Sequence, residues 1–109
     1  MATIFSTNSG TATATAGAAT ITNRFGKVTT EALTTAQNAV YTLTLTNTAI
    51  RASDLVMASV ANGTNTQGTP VVTRVQPGNG TLVILVSNLH ASAQALNGTL
   101  VVSFAALGA

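Results

Sequence analysis

Alternation of apolar and polar residues is the dominant pattern from Ile21 onward, and it predicts β-strands. The clearest case is residues 40–46, where Tyr41, Leu43 and Leu45 face one way and their neighbours the other. Residues 81–86 are almost continuously apolar, which is typical of a central strand covered on both faces. Shorter runs predict further strands at residues 27–33, 55–60, 71–75 and 99–104.

Turn-forming dipeptides separate these runs. Asn62-Gly63, Asn79-Gly80 and Asn97-Gly98 are typical of tight turns, because Asn and Gly tolerate a positive φ. The one helical candidate is residues 91–96. The pattern therefore predicts an all-β fold, an antiparallel β-sandwich or jelly roll of roughly 7–8 strands.

Residues 1–18 differ from the rest in composition. They are mostly Ser, Thr, Ala, Asn and Gly, with Ile4 and Phe5 as the large apolar residues. Such a segment cannot build a hydrophobic core. We expect it to be a flexible tail unless the domain's own edge or a neighbouring subunit holds it. We expect an extended N-terminal arm at residues 1–18 and a β-sandwich domain at residues 19–109.

Charge is scarce in this chain. Charged residues make up 6% of the sequence, against about 25% in typical soluble domains. A surface with so little charge provides little electrostatic repulsion between copies, so we expect the protein to function within an assembly. The four cations are scattered and aromatic residues make up 4%, so the clustered basic footprint of a nucleic-acid-binding protein is missing.

Compartment signals are few. The chain has no cysteine, so disulfides and cysteine metal sites are excluded. No apolar run approaches the ~20 residues of a membrane-spanning helix, and the first residues lack the basic and apolar regions of a secretory signal. We expect synthesis in the cytoplasm and no membrane partner.

The proton-carrying residues are too few for a convincing active site. They are Glu31, Asp54, His90 and, more remotely, Tyr41, and no sequence motif brings them together. We therefore expect no enzymatic activity, no metal and no cofactor. His90 is interpreted as a loop residue bonded to backbone or, alternatively, as an interface residue near a symmetry axis. Asp54 is interpreted as part of a turn with Arg51.

The order of elements between residues 26 and 104 resembles a known group of proteins. The resemblance rests on the Gly-Lys-Val-Thr strand at residues 26–29, the Tyr-Thr-Leu-Thr-Leu-Thr strand at residues 41–46, the Gly-Thr-Pro sequence at residues 68–70, and the final strand after Leu96-Asn-Gly-Thr-Leu100. This arrangement is similar to the small β-sandwich domains of tailed-bacteriophage virions, which occur as capsid decoration (cement) proteins and as head or tail fibre modules.

The resemblance implies a role in assembly. It implies a homotrimer or other multimer on the virion surface, bound to the major capsid protein and gripping it through N-terminal arms or loops. We therefore expect a cement protein that bridges capsid subunits, with Ile4, Phe5 and His90 as candidate assembly contacts. The alternative is a fibre or receptor-binding module that recognises carbohydrate.

Overall fold

The computed structural model describes residues 9–107, so the expected contacts Ile4 and Phe5 lie outside the described residues. Eight strands are present in this range. They are β1 (Ser9–Thr13), β2 (Ala18–Thr20), β3 (Phe25–Thr29), β4 (Val40–Thr46), β5 (Leu55–Asn62), β6 (Pro70–Gly78), β7 (Thr81–Asn88) and β8 (Leu100–Leu107).

The strands form two four-stranded sheets. Sheet A has the order β1-β3-β8-β5, and sheet B has the order β2-β4-β7-β6. The prediction of an all-β fold with 7–8 strands is confirmed, and the two sheets are compatible with a β-sandwich. A jelly roll stays a prediction.

The expectation of a purely antiparallel fold is wrong for two strand pairs. β1 runs parallel to β3, and β2 runs parallel to β4. Parallel neighbours need a crossover connection. Here the chain alternates between sheets from β1 to β4, so each parallel pair is joined through a strand of the opposite sheet.

Part of the expected arm belongs to the fold. Residues 9–13 pair with β3, and β2 begins at Ala18. Between them Ala14 is buried in the core, and Thr15 and Ala18 exchange backbone hydrogen bonds. The domain's own edge and a neighbouring subunit were the two alternatives for holding this segment. Residues 9–18 are held by the edges of the domain's own sheets.

Most predicted strands match observed ones, and β4 has the predicted bounds. β7 is central and its inward side chains are buried, whereas Val83 and Leu85 on its other face are half-buried. The strand predicted at residues 27–33 instead spans residues 25–29. Just beyond its end, the Thr30 N–H donates to the carbonyl of Leu100 at 2.8 Å, and the Thr30 hydroxyl accepts the backbone N–H of Leu100 at 2.9 Å.

The helix expected at residues 91–96 does not form. Its backbone makes long-range bonds instead: Leu96 donates to the carbonyl of Thr35 at 2.9 Å. The carbonyl of Gln94 accepts a bond of 2.8 Å from the side chain of Asn88. The Asn79-Gly80 turn is confirmed, since Gly78 and Thr81 pair across it in the β6–β7 hairpin.

The core lies between the inner faces of the two sheets. Sheet A contributes alternate residues of β8, from Leu100 to Ala106, together with Val28. Sheet B contributes alternate residues of β4 and β7. The alternation read from the sequence thus assigns one face of these strands to the core and leaves the other face outward.

Candidate functional site

The structure brings two of the proton-carrying residues, Glu31 and Tyr41, into contact, whereas Asp54 and His90 lie in separate contacts. The carboxylate of Glu31 accepts the Tyr41 hydroxyl through Oε1 at 2.9 Å and the backbone N–H of Gly17 through Oε2 at 2.9 Å. Glu31 therefore ties the β1–β2 turn to β4. Burial raises the pKa of Tyr41 well above its usual range, with the bond to Glu31 and its negative charge acting in the same direction.

Asp54 closes a turn and pairs with an arginine from another segment. Its Oδ2 accepts the backbone N–H of Arg51 at 3.0 Å, as the turn interpretation predicted. Its ion-pair partner is Arg24, at 3.0 Å between Nη2 and Oδ2. The backbone bond from Arg51, followed by the bond and charge of Arg24, holds the pKa of Asp54 below its usual value.

His90 lies in the loop after β7. Its Nδ1 is 3.0 Å from the hydroxyl oxygen of Thr69, so the ring is bonded to a side chain where we expected backbone. The backbone carbonyl of His90 accepts a bond from Gln37 at 3.0 Å. These contacts place His90 in a structured loop, and an interface role for it stays a prediction.

Two of the Asn-Gly-Thr sequences pack against each other. Thr64 donates its backbone N–H to the Thr99 hydroxyl at 2.9 Å, and Thr99 returns a bond of the same length to the Thr64 hydroxyl. The backbone N–H of Gly63 also donates to the carbonyl of Thr99 at 2.9 Å. The sequence showed three separate turns, but it gave no signal that two of them would join.

The outer face of sheet A, which points away from the core, carries exposed apolar side chains. Leu55 is 61% exposed, Met57 53% and Leu107 38%. Leu55 and Leu107 are direct cross-strand partners, and Met57 is paired with Ala105. Together with Phe25, these residues form what we call the apolar patch: Phe25, Leu55, Met57, Ala105 and Leu107.

A shallow depression of about 400 Å³ opens in this face. It is lined by residues of three adjacent strands, β3, β8 and β5. Phe25, Met57 and Ala105 of the apolar patch line it, and Lys27 and Ser103 also belong to its lining. A concave, mostly apolar surface of this kind is suited to receiving an apolar side chain or a flat apolar partner.

The sequence contained a signal for this face that strand prediction did not use. In β5 the inward residues Val56, Ala58 and Val60 pack against the core. Leu55 and Met57 are also apolar, although they face outward. A short strand with apolar residues on both faces needs cover on both, and the described residues leave the outer one open.

A smaller set of exposed apolar residues lies on sheet B. Val40 and Val71 flank Ser87 across that sheet, and Leu89 follows β7. Between residues 9 and 107, no three His, Cys, Asp or Glu side chains come together as metal ligands do. In the same range no helix has the length and apolar character needed to cross a membrane.

The comparisons with known proteins add no relative. No family model, curated protein or solved structure that was compared with this chain matches it.

Proposed function

We propose that the chain is a virion structural protein with a β-sandwich fold, a capsid decoration (cement) protein that bridges capsid subunits. The observation that carries this proposal is the apolar patch. Leu55, Met57 and Leu107 are large side chains that remain exposed in the isolated chain. Apolar clusters of this kind on small domains mark contact surfaces.

The distribution of charge supports the same conclusion. Two of the six charged residues, Arg24 and Asp54, neutralise each other, and Glu31 binds internal partners. Exposed charge in the described range is thus left to Lys27 and two arginines. Copies of such a domain repel one another weakly, so they can be placed close together on a lattice as a homotrimer or larger multimer.

The patch can supply a useful but modest binding energy. Full burial of a Leu or Met side chain contributes roughly 1.5–3 kcal/mol. The exposed fractions of Leu55, Met57 and Leu107 then correspond to about 3 kcal/mol per copy before association costs. A contact this weak becomes firm when several linked copies bind at once, which fits a multimer on a repeating shell.

The fibre or carbohydrate-binding alternative has less support. Sugar rings usually stack on exposed aromatic faces. The aromatic side chains of residues 9–107 are Tyr41, Phe25 and Phe104. Phe25 and Phe104 are buried, and Tyr41 is partly buried with its hydroxyl bonded to Glu31. A competable signal on a glycan array would reverse this preference.

The direct test is whether purified virus particles contain the chain. Virus particles purified from cells that make the chain should contain it in a fixed ratio to the major capsid protein, as measured by quantitative mass spectrometry. Particles should also lose heat resistance when the chain is deleted. Absence of the chain from particles, or unchanged particle stability after its removal, contradicts the proposal.

A further inference from the structure

We propose that strand β5 pairs edge to edge with β5 of a second copy of this chain, antiparallel and about a two-fold axis. Two copies of sheet A then form one continuous sheet. The inference goes beyond the proposed function, because this contact between copies needs no capsid. The contact is two-fold, so it is separate from the contact within a homotrimer and can join one homotrimer to the next.

The four edge strands of the two sheets differ in how they are protected from pairing. The edges are β1 and β5 in sheet A, and β2 and β6 in sheet B. β1 and β2 are short, with 5 and 3 residues. β6 contains Pro70, Arg74 and Pro77, and its register with β7 shifts after Val72. Short length, proline, charge and bulges are the features by which natural edges avoid pairing with other chains.

β5 lacks all of these protective features. It has 8 residues, Leu-Val-Met-Ala-Ser-Val-Ala-Asn, with no charge and no proline. Its ladder with β8 runs without a shift from Leu55 to Asn62. Within residues 9–107 it pairs with β8 alone, so its other side is open. An open edge of this length is a template for a further strand.

The register with β8 shows which residues of β5 present backbone groups to the open edge. Gly63 continues the ladder and donates its N–H to the carbonyl of Thr99 at 2.9 Å. Because antiparallel pairs alternate, the odd-numbered residues of β5 bond to β8 and the even-numbered ones direct N–H and C=O away from it. The outward backbone groups therefore belong to Val56, Ala58, Val60 and Asn62.

These backbone groups fit a second copy of β5. Pairing Ala58 with its own copy about the two-fold axis brings outward-directed groups together. Val56 then pairs with Val60 of the second copy, and each such pair exchanges both N–H···O=C bonds. A register shifted by one residue would instead bring together backbone groups that already bond to β8.

The side chains on the outer face favour the same register. Leu55 lies opposite Ala61 of the second copy, and Met57 lies opposite Ser59, so each large side chain meets a small one. Of the neighbouring registers that the backbone allows, one sets Met57 against its own copy. The other places Leu55 opposite Gly63, beyond the end of the strand. Because β5 carries no charge, no like charges meet in any of them.

The pair also changes what the protein presents to a partner. Residues opposite each other in an antiparallel pair lie on the same face of the sheet. The outer faces of the two copies of sheet A therefore become one surface that carries two apolar patches. Two linked patches bind a repeating shell more firmly than one patch does.

Light scattering of the isolated protein measures the pair directly. One chain has a mass of 10.9 kDa, and we expect twice that mass, falling toward one chain on dilution. Ser59→Lys should give the mass of one chain, because an exposed lysine on an edge strand disfavours pairing. The matched control is Thr44→Lys, an exposed strand position on the outer face of sheet B, which should keep the pair.

Disulfide cross-linking tests the register. The chain has no cysteine, so a Met57→Cys/Ser59→Cys variant introduces the only thiols. Opposite each other across the pair, their Cα atoms would be about 4.5 Å apart, within the ~4.4–6.8 Å that a disulfide spans. In the control Met57→Cys/Ala61→Cys the two positions are diagonal neighbours at about 7–8 Å. We expect a covalent dimer from the first variant under mild oxidation and little from the control.

Three outcomes overturn the inference. The first is a mass of one chain or of three chains for the native protein. The second is a pair that survives Ser59→Lys, which places the contact elsewhere on the surface. The third is equal cross-linking of the two cysteine variants, which contradicts the register. The proposed cement function is judged separately by particle composition, so either proposal can fail without the other.

Discussion

Asn88 is the buried residue whose replacement should reveal most about how the loops are held. Its side chain is fully buried at the end of β7. The amide nitrogen donates to the carbonyls of Thr35 at 3.0 Å and Gln94 at 2.8 Å. The amide oxygen accepts the backbone N–H groups of Thr69 at 3.0 Å and His90 at 3.3 Å. One side chain therefore joins three loops.

The cost of Asn88→Ala follows from these bonds. Each buried hydrogen bond contributes about 1 kcal/mol net, and the three bonds of 3.0 Å or shorter sum to about 3 kcal/mol. The unfolding free energy of a small domain is about 5–15 kcal/mol, so this loss is a large share. It should lower the Tm by about 12 °C or more, because 1 kcal/mol shifts the Tm of such a domain by ~4–8 °C.

The assay is urea and thermal unfolding followed by circular dichroism, with Asn79→Ala as the control. Asn79 is an exposed turn residue whose side chain accepts one bond, from the backbone N–H of Ala52 at 3.1 Å. Its replacement should cost less than about 1 kcal/mol. Equal losses for the two variants would refute the idea that the Asn88 bonds organise these loops.

An Asn88→Asp variant adds a pH signature. The new carboxylate would face the carbonyls of Thr35 and Gln94 in a buried site, so its folded-state pKa should lie above the unfolded value. A group with a raised folded-state pKa stabilises the fold below its unfolded pKa and loses that contribution as pH rises. Asn88→Asp should therefore approach the stability of the native protein in acid and fall away toward neutral pH.

Further predictions concern three other sites. Glu31→Ala should lower the pKa of Tyr41, as measured by ultraviolet titration, because the hydrogen bond and the negative charge of Glu31 both raise that pKa. An unchanged Tyr41 titration would contradict the contact. Asp54→Asn should destabilise the protein more at neutral pH than at about pH 3, as measured by urea midpoints. The lowered folded-state pKa of Asp54 stabilises the fold above the unfolded pKa, and this contribution is lost as pH falls through the folded pKa. An equal loss of stability at both pH values would refute the pairing. Ala16→Gly should stabilise the fold by about 1 kcal/mol in the same assay, because Ala16 is exposed with φ at 52°; a loss would contradict the strain.

Local pattern was sufficient to predict the fold class and most strands. In β4 the alternation of Leu43 and Leu45 with threonines gave both the strand and its buried face. β1 and β2 have no comparable pattern. Their Thr and Ala residues carry little hydrophobic contrast, and their parallel pairing depends on contacts distant in sequence.

Local sequence pattern could not predict the candidate site, for a different reason. Exposure of Leu55 and Met57 depends on what packs over sheet A, and periodicity predicts which residues share a face without showing what covers it. The pairing of Asp54 with Arg24 likewise joins residues from separate segments. In contrast, the turn of Asp54 with Arg51 joins residues three positions apart and was predictable.

The central claim is that the chain works by contact through the outer face of sheet A. The most direct measurement is the copy number on purified particles of a Leu55→Asp variant, compared with Thr44→Asp on the outer face of sheet B. Both positions are exposed and lie in strands, so each variant should fold. The account predicts loss of the Leu55→Asp protein from particles and full retention of Thr44→Asp. Full retention of both variants would contradict it.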